Sequence, residues 1–72
     1  MPNTFESLKD AIKTYLTWAK IHPACAREFY AMARGCVTGA QMALLYADKS
    51  KEYEEIRSLW ENELDPAFQA LF

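Results

Sequence analysis

The spacing of apolar residues predicts a first helix over residues 4–21. Apolar side chains recur there every three or four positions, which is typical of one helix face: Phe5, Leu8, Ile12, Tyr15, Leu16 and Ala19. Glu6 stands three residues after Asn3, and this capping-box spacing predicts the helix start. Pro23 disfavours helical backbone at the residue before it, so the first helix is expected to end near His22.

The alanine-rich segment from Pro23 to Ala47 predicts a long central helix. Small and apolar residues alternate along it by three and four positions and form a heptad-like seam: Ala26, Phe29, Ala33, Cys36, Ala40, Ala43 and Ala47. Further apolar residues widen this face: Cys25, Tyr30, Met32, Val37 and Leu44. Because this helix is longer than the first, we expect its end to overhang and to be covered by the C-terminal residues or by a second subunit.

The last third of the chain predicts a more polar helix that begins with Ser50 as its N-cap. A narrow apolar stripe follows: Tyr53, Ile56, Trp60 and Leu64, with Leu59 at its edge. Asp65 is then expected to cap a final short helix, since Pro66 suits a first helical position. The predicted fold is all-α. It is a small antiparallel three-helix bundle with a long central helix and a short C-terminal helical extension, in one domain over residues 1–72.

Both glycines of the chain lie in the stretch "MARGCVTGAQMA", residues 32–43. A phosphate-binding loop is not favoured, since the stretch follows no strand pattern and lacks a Lys-Ser/Thr pair. A helix break is the second alternative, with Gly35 after the end of one helix and Thr38 capping the next. Apolar residues before and after Gly35 keep one helical phase, however, so we expect a continuous helix.

On a continuous helix, small residues recur every four positions at Ala31, Gly35, Gly39 and Ala43. Such a strip allows close approach of another helix, either within the chain or in a homodimer. Trp18, Met42 and Tyr46 also fit poorly inside the predicted bundle. Exposed aromatic and Met side chains are common interface anchors. The candidate interface residues are therefore Ala31, Gly35, Gly39, Met42, Ala43, Tyr46 and Trp18.

Composition and charge limit the classes of function. With 51% hydrophobic and 25% charged residues, the chain is expected to be globular rather than disordered. Residues 1–47 carry five Lys and Arg against three acidic residues, a net charge of +2, whereas residues 48–72 carry three against seven, a net charge of −4. Neither half is basic enough to favour nucleic-acid binding. No apolar run is long enough for a membrane span and no signal-peptide pattern is seen, so we expect a cytoplasmic protein with reduced thiols.

Candidate chemistry is sparse. His22 and Cys25 could share a zinc ion, but Cys36 lies three helical turns from Cys25, about 16 Å away on a continuous helix. That distance is too long for a shared metal or a disulfide, and we expect both thiols to be buried and inert. Paired carboxylates for acid–base catalysis are conceivable among Glu54, Glu55, Glu61 and Glu63, although a solvated acidic face explains them as well. We therefore expect no catalytic residues, no cofactor and no metal.

The sequence thus favours a non-enzymatic helical protein–protein interaction module that self-associates, with a dimer as the first expectation and a further protein partner possible. In overall character, short and rich in alanine and aromatic residues, the chain resembles small accessory proteins of phages and mobile elements. One alternative is a small-ligand or nucleotide-binding protein with a pocket at a subunit interface, lined by Tyr15, Trp18, Lys20, Arg27 and Arg34. A DNA-binding helical module is a further alternative, using Lys9, Lys13, Lys20, Arg27 and Arg34.

Overall fold

The structure, a computed structural model, describes residues 4–72, so the predicted capping residue Asn3 lies outside the described part. Helix α1 spans Thr4–Ile21, a 3₁₀ turn spans Pro23–Cys25, and α2 spans Ala26–Tyr46. Helix α3 spans Ser50–Leu59, a π-helical turn spans Trp60–Leu64, and α4 spans Asp65–Gln69. Helix α2 packs against α1 on one side and α3 on the other. The prediction of a small all-α bundle is confirmed.

The core contains residues from α1, from α2 and from the helical segment that runs from α3 to α4. Its buried members are Ile12, Ala19, Ala26, Ala33, Val37, Ile56, Leu59, Leu64 and Phe68. Three of them are alanines of α1 and α2, two helices that pack on each other, and small side chains allow such close approach. The close packing within the chain therefore uses the alanines of the predicted seam.

The boundary between α1 and α2 follows from the His-Pro pair. His22 lies between the two helices with non-helical backbone (φ −123°, ψ 75°), and it makes no side-chain capping hydrogen bond. Its carbonyl oxygen accepts a hydrogen bond from the Cys25 N–H at 3.0 Å, which closes the 3₁₀ turn. His22 is thus a turn residue, in keeping with the restriction that Pro23 imposes on it.

Helix α2 runs without interruption through Gly35 and Gly39, which confirms the continuous helix inferred from the phase of its apolar residues. It ends in a Schellman motif at Asp48, whose φ is +58°. The Lys49 N–H donates to the Leu44 carbonyl at 2.9 Å and the Asp48 N–H to the Leu45 carbonyl at 3.1 Å. This pairing satisfies the last carbonyls of the helix.

The expected final short helix is present as α4, and it follows the π turn without a break. The chain stays helical from Ser50 to Gln69, and Asp65 is not a side-chain cap. Instead the Asp65 N–H donates to the Trp60 carbonyl five residues earlier. In a regular α-helix the Pro66 ring would clash with the carbonyl four residues before it, and the wider π turn accommodates the ring.

The π turn also sets which residues face the core. Leu59 and Leu64 are five positions apart and both are buried, because the extra residue of the π turn brings them to one side. Leu59, predicted at the edge of the stripe, is therefore a core residue, whereas Trp60 is half-buried. Ser50, the predicted N-cap, is instead the first residue of α3, with Lys49 before it.

The predicted inward face of α2 is partly wrong at its borders. Cys25, Met32, Ala43 and Ala47 are exposed, because α1 and α3 cover only one half of the cylinder. The lengths also differ less than expected, at 21 residues for α2 against 18 for α1. The surplus apolar surface of α2 includes its outward face, with Met32 and Met42, as well as Leu45 and Tyr46 in its last turn.

The C-terminal residues pack on their own bundle. Phe68 is fully buried, and the ring of Tyr30 lies 5.5 Å from Trp60, 5.4 Å from Phe68 and 5.4 Å from Phe72, centroid to centroid. The Tyr30 hydroxyl donates a hydrogen bond to the Asp65 carboxylate at 2.9 Å. This aromatic cluster joins α2 to the π turn and α4.

Candidate interaction surface

The outward face of α2 carries a continuous strip of small and apolar side chains. The α2 strip consists of Ala31, Met32, Gly35, Gly39, Met42, Ala43 and Tyr46, all of them exposed. At 100° per residue these positions lie opposite the buried residues Ala26, Ala33 and Val37. Met42 is 51% exposed and Tyr46 is 86% exposed, so the largest side chains of the strip stand in solvent.

The two glycines of the strip have no neighbour in the described part of the chain. A Cβ atom built on Gly35 or Gly39 would meet nothing within 4 Å. The alternative in which these glycines pack closely on a helix of the same chain is therefore wrong, since α1 and α3 lie on the other side of α2. A glycine in a helix interior costs about 1 kcal/mol relative to alanine, and no contact between residues 4 and 72 offsets that cost.

The second half of α2 lacks charge on every side. No Asp, Glu, Lys, Arg or His occurs between Arg34 and Asp48. A surface helix normally presents charged and polar residues opposite its buried face, so the outward face here departs from that pattern. Exposed charged residues precede and follow this uncharged segment: Arg34 on one side, and Asp48 and Lys49 on the other.

Two aromatic residues lie beside the strip near its N-terminal end. The ring of Trp18 packs 5.9 Å from that of Phe29, and Arg27 lies 4.9 Å from the ring centroid of Phe72. Arg27 and Phe29 are two residues apart and so point to opposite flanks of α2. Trp18 and Phe72 remain 46% and 43% exposed and extend the apolar surface to both sides.

Sequence reasoning missed two exposed apolar residues, Leu45 at 60% and Ile21 at 62% exposure. Leu45 follows Met42 by three positions, so the helical spacing from the strip was the available signal. Trp18, Met42 and Tyr46 were expected to fit poorly inside, and the structure places them on the surface. A role for them in an interface stays a prediction.

The residues of the predicted subunit-interface pocket come together only in part. Tyr15 and Trp18 are in edge-to-face contact with ring centroids 5.8 Å apart. Lys20 and Arg34 make no ion pair within residues 4–72, and Arg27 lies over Phe72. Neither of the two clefts described below is lined by any of these five residues.

The first of the residues proposed for DNA binding is engaged by acidic neighbours. The Lys9 ammonium lies 2.8 Å from the Glu6 carboxylate and 3.6 Å from that of Glu55. The hydrogen bond with Glu6 raises the pKa of Lys9 above its usual value. The ion pair with Glu55 joins α1 to α3, so this lysine is part of the bundle rather than of a basic surface.

Open clefts lie between the helices of residues 4–72, and two of them can be compared by their lining. One between α1 and α3 mixes both signs of charge, and its lining includes Lys9, Lys13, Lys51, Glu54, Glu55 and Glu63. The other lies near the start of α1 and is lined by Thr4, Phe5, Leu8, Leu44, Lys49 and Glu52. Ser58 also lines the first cleft, beside Glu54 and Glu55, but within residues 4–72 no hydrogen bond joins its hydroxyl to either carboxylate. Two of the candidate carboxylates form exposed ion pairs: Arg57 lies 3.6 Å from Glu54 and 3.2 Å from Glu61.

The two thiols are free and differ in exposure. Cys25 is exposed and Cys36 is half-buried, so the expectation that both are buried is wrong for Cys25, which lies in the 3₁₀ turn outside the core. Within residues 4–72, no group of three or more His, Cys, Asp or Glu side chains is placed to hold a metal ion.

Within the described part of the chain, no helix combines the length and the apolar character that crossing a bilayer requires. The sequence matches no protein-family model, and neither the curated proteins nor the solved structures contain a match to it.

Proposed function

We propose that the protein is a non-catalytic helical interaction module that self-associates, and that its working surface is the α2 strip. The observation that carries the proposal is the pair of exposed glycines, Gly35 and Gly39, in the middle of a continuous helix with open space around them. Together they cost about 2 kcal/mol relative to alanine. A single small core supplies only about 3–5 kcal/mol of net stability, so this cost is large for a 72-residue chain.

Departures from local stability rules concentrate at functional positions. Glycine at these two positions offers nothing to the isolated bundle, but it allows the backbone of another helix to come close. The surrounding Met and Tyr side chains then supply apolar contact at the edges of that approach. Met and aromatic residues are enriched in protein interfaces, whereas Lys and Glu are depleted, and the composition of the strip follows this preference.

A single substitution separates this role from a purely structural one. In Gly39→Leu the new side chain enters open space in the monomer, so we expect the free energy of unfolding of the monomer to rise by about 0.5–1 kcal/mol. The same side chain would hold a second helix away from the strip, so association should be lost. Sedimentation equilibrium gives the mass, and thermal unfolding at low concentration gives the stability.

Ser58→Leu is the matched control, since Ser58 is exposed and lines the cleft between α1 and α3, whose described lining includes no residue of α2. It adds the same apolar side chain, and we expect its mass to equal that of the unsubstituted protein. A monomeric mass for all three proteins up to millimolar concentration would refute the proposed self-association. Equal association of Gly39→Leu and the unsubstituted protein would refute the strip as its surface.

We further place this function in the cytoplasm. Two free cysteines support that location, because thiols persist in the reducing environment there and are paired more often outside it. The exposed Cys25 would be open to oxidation in an oxidising compartment. Fractionation of cells that carry a tagged chain tests the location.

A further inference from the structure

We infer that α1 completes the surface for self-association: a second copy of the chain covers a face that joins the α2 strip to the neighbouring side of α1. This inference rests on the proposed function. We call this surface the α1–α2 face, and its α1 residues are Ser7, Ala11, Thr14, Trp18 and Ile21. The strip alone is too small for a specific dimer, and α1 supplies the missing area.

Contacts with the other helices fix the side on which α1 borders the strip. Trp18 of α1 packs against Phe29 of α2, with ring centroids 5.9 Å apart. Lys9, on the opposite flank of α1, lies 3.6 Å from Glu55 of α3. Successive helix residues are rotated by about 100°, so one flank of α1 carries the following residues together: Ser7, Ala11, Thr14, Trp18 and Ile21. This flank therefore lies on the α2 side of the helix, away from α3.

Exposed apolar side chains concentrate on the α1–α2 face. Of the seven large apolar residues exposed between positions 4 and 72, five lie on this face: Trp18, Ile21, Met32, Met42 and Tyr46. Ser7 and Ala11 are also exposed, and Thr14 is half-buried. Charge is confined to the margins, since Glu28 lies in the first turn of α2 and Asp10 at the outer border of α1. The face is thus apolar or uncharged over most of its length.

The flank of α2 that faces α4 is unsuited to a second copy. Arg27 and Arg34 are seven positions apart and so share that flank, where Arg27 lies 4.9 Å from the ring centroid of Phe72. A homodimer sets one surface against a copy of itself, and like charges held close together repel each other. The residues of the α1–α2 face include no cation, so two-fold pairing through it avoids this repulsion. The second copy is therefore assigned to the α1 side of the strip.

The area that a dimer requires also calls for α1. Residues 31–46 extend over about 24 Å of helix, and a helix is about 10 Å wide, so the strip covers about 240 Å² on each copy. The total of about 500 Å² for two copies is in the range of crystal contacts. Packed helices lie about 8–10 Å apart, so adding α1 roughly doubles the width. The total then reaches about 1,000 Å², the lower limit for a specific interface, and we expect a weak dimer.

Nuclear magnetic resonance on the native chain tests the face. Amide ¹H–¹⁵N spectra are recorded while the protein is diluted from about 1 mM to about 20 μM, a range in which a weak dimer dissociates. We expect progressive shifts at Ala11 and Thr14 of α1 as well as at Gly39 of the strip. The amide of Ser58 on α3 should keep a constant position.

The other possible results of this dilution have distinct meanings. Shifts confined to α2, or shared by α2 and the flank that carries Arg34, would overturn the α1–α2 face and leave the proposed function standing. Shifts that spare α2, or a monomeric mass without any shift, would overturn both.

A charged substitution on α1 provides a second test. Ala11 is exposed and lies outside the α2 strip, and Ala11→Arg keeps a good helix former while it places a cation in the middle of the face. We expect the dissociation constant of the dimer to rise about tenfold or more, because the new charge would be desolvated without a partner. Sedimentation equilibrium measures the constant, and circular dichroism at low concentration checks that the variant stays helical.

Ser58→Arg is the matched control for this substitution. It adds the same side chain to the cleft between α1 and α3, and its dissociation constant should stay within about twofold of that of the unsubstituted protein. If Ala11→Arg associates as tightly as Ser58→Arg, α1 takes no part in the interface, and the proposed function then rests on the strip alone.

Discussion

Tyr30 connects parts of the chain that are far apart in sequence. Its ring contacts Trp60, Phe68 and Phe72, and its hydroxyl donates to Asp65, which lies 35 positions later. The Asp65 carboxylate also accepts a hydrogen bond from the Gln69 side chain at 3.3 Å. Nothing in the local sequence around Tyr30 indicates the hydrogen bond with Asp65, because that bond depends on the direction in which the π turn orients the Asp65 side chain.

We predict that Tyr30→Phe lowers the free energy of unfolding by about 1 kcal/mol at pH 7, since it keeps the ring contacts and removes one hydrogen bond to a charged acceptor. For a chain of this size the midpoint of thermal unfolding should fall by about 4–8 °C. Tyr15→Phe is the control, because the Tyr15 hydroxyl makes no hydrogen bond within residues 4–72. Equal effects of the two substitutions would argue against the Tyr30–Asp65 bond.

The same bond makes stability depend on alkaline pH. The hydrogen bond to Asp65, with burial and the charge of Asp65, raises the pKa of Tyr30 above its ordinary value of 10.0. A raised pKa in the folded state stabilises the protein below pH 10, and this contribution is lost as the pH rises through the folded-state pKa. The stability difference between the unsubstituted protein and Tyr30→Phe should therefore shrink above pH 10, as measured by thermal unfolding from pH 7 to 11.

Helices that depend on apolar spacing could be predicted from the sequence, and the irregular turn could not. Helix α1 lies over Thr4–Ile21 as its pattern indicated, and the continuity of α2 followed from the common phase on both sides of Gly35. Asp65-Pro66 is equally typical of a helix start, so the local pattern could not reveal a π turn. The outward exposure of Met32 could not be predicted either, because α2 is apolar on both faces and only its contacts with α1 and α3 decide which face is buried.

We expect that the π turn is present because the Pro66 ring would clash in a regular α-helix. A deletion tests this cause. Removing Asn62, an exposed residue of the turn, leaves Leu59 and Leu64 four positions apart, as a regular α-helix requires. With Pro66 present, the resulting α-helix contains an interior proline, so we expect destabilisation of about 3 kcal/mol. In a Pro66→Ala background the same deletion should cost less than about 1 kcal/mol.

The four proteins form a double-mutant cycle that isolates the coupling between the turn and the proline. Urea unfolding followed by circular dichroism gives each free energy. A deletion that is equally costly in both backgrounds would show that the π turn has another cause, such as the fit of Phe68 into the core.

The molecule as a whole combines a small core with an unusually apolar exterior on one helix. Nine buried residues between positions 4 and 72 hold the bundle together, and three of those are alanines that contribute little apolar area each. The outward face of α2 adds apolar surface that stays in water in a single copy. If two copies cover each other along this face, folding and association are linked, and stability must depend on protein concentration.

Because of this linkage, the unfolding midpoints of the unsubstituted protein and of Gly39→Leu should cross when they are plotted against protein concentration. At low concentration both are monomers, and the variant should unfold several degrees higher because leucine is the better helix former. Above the dissociation constant, each tenfold increase in concentration stabilises a dimer by about 0.7 kcal/mol per chain, or about 3–5 °C. The midpoint of the unsubstituted protein should rise accordingly and overtake that of the variant, which stays constant. Calorimetry over three decades of concentration checks this. If the two midpoints change with concentration by the same amount, the strip takes no part in association.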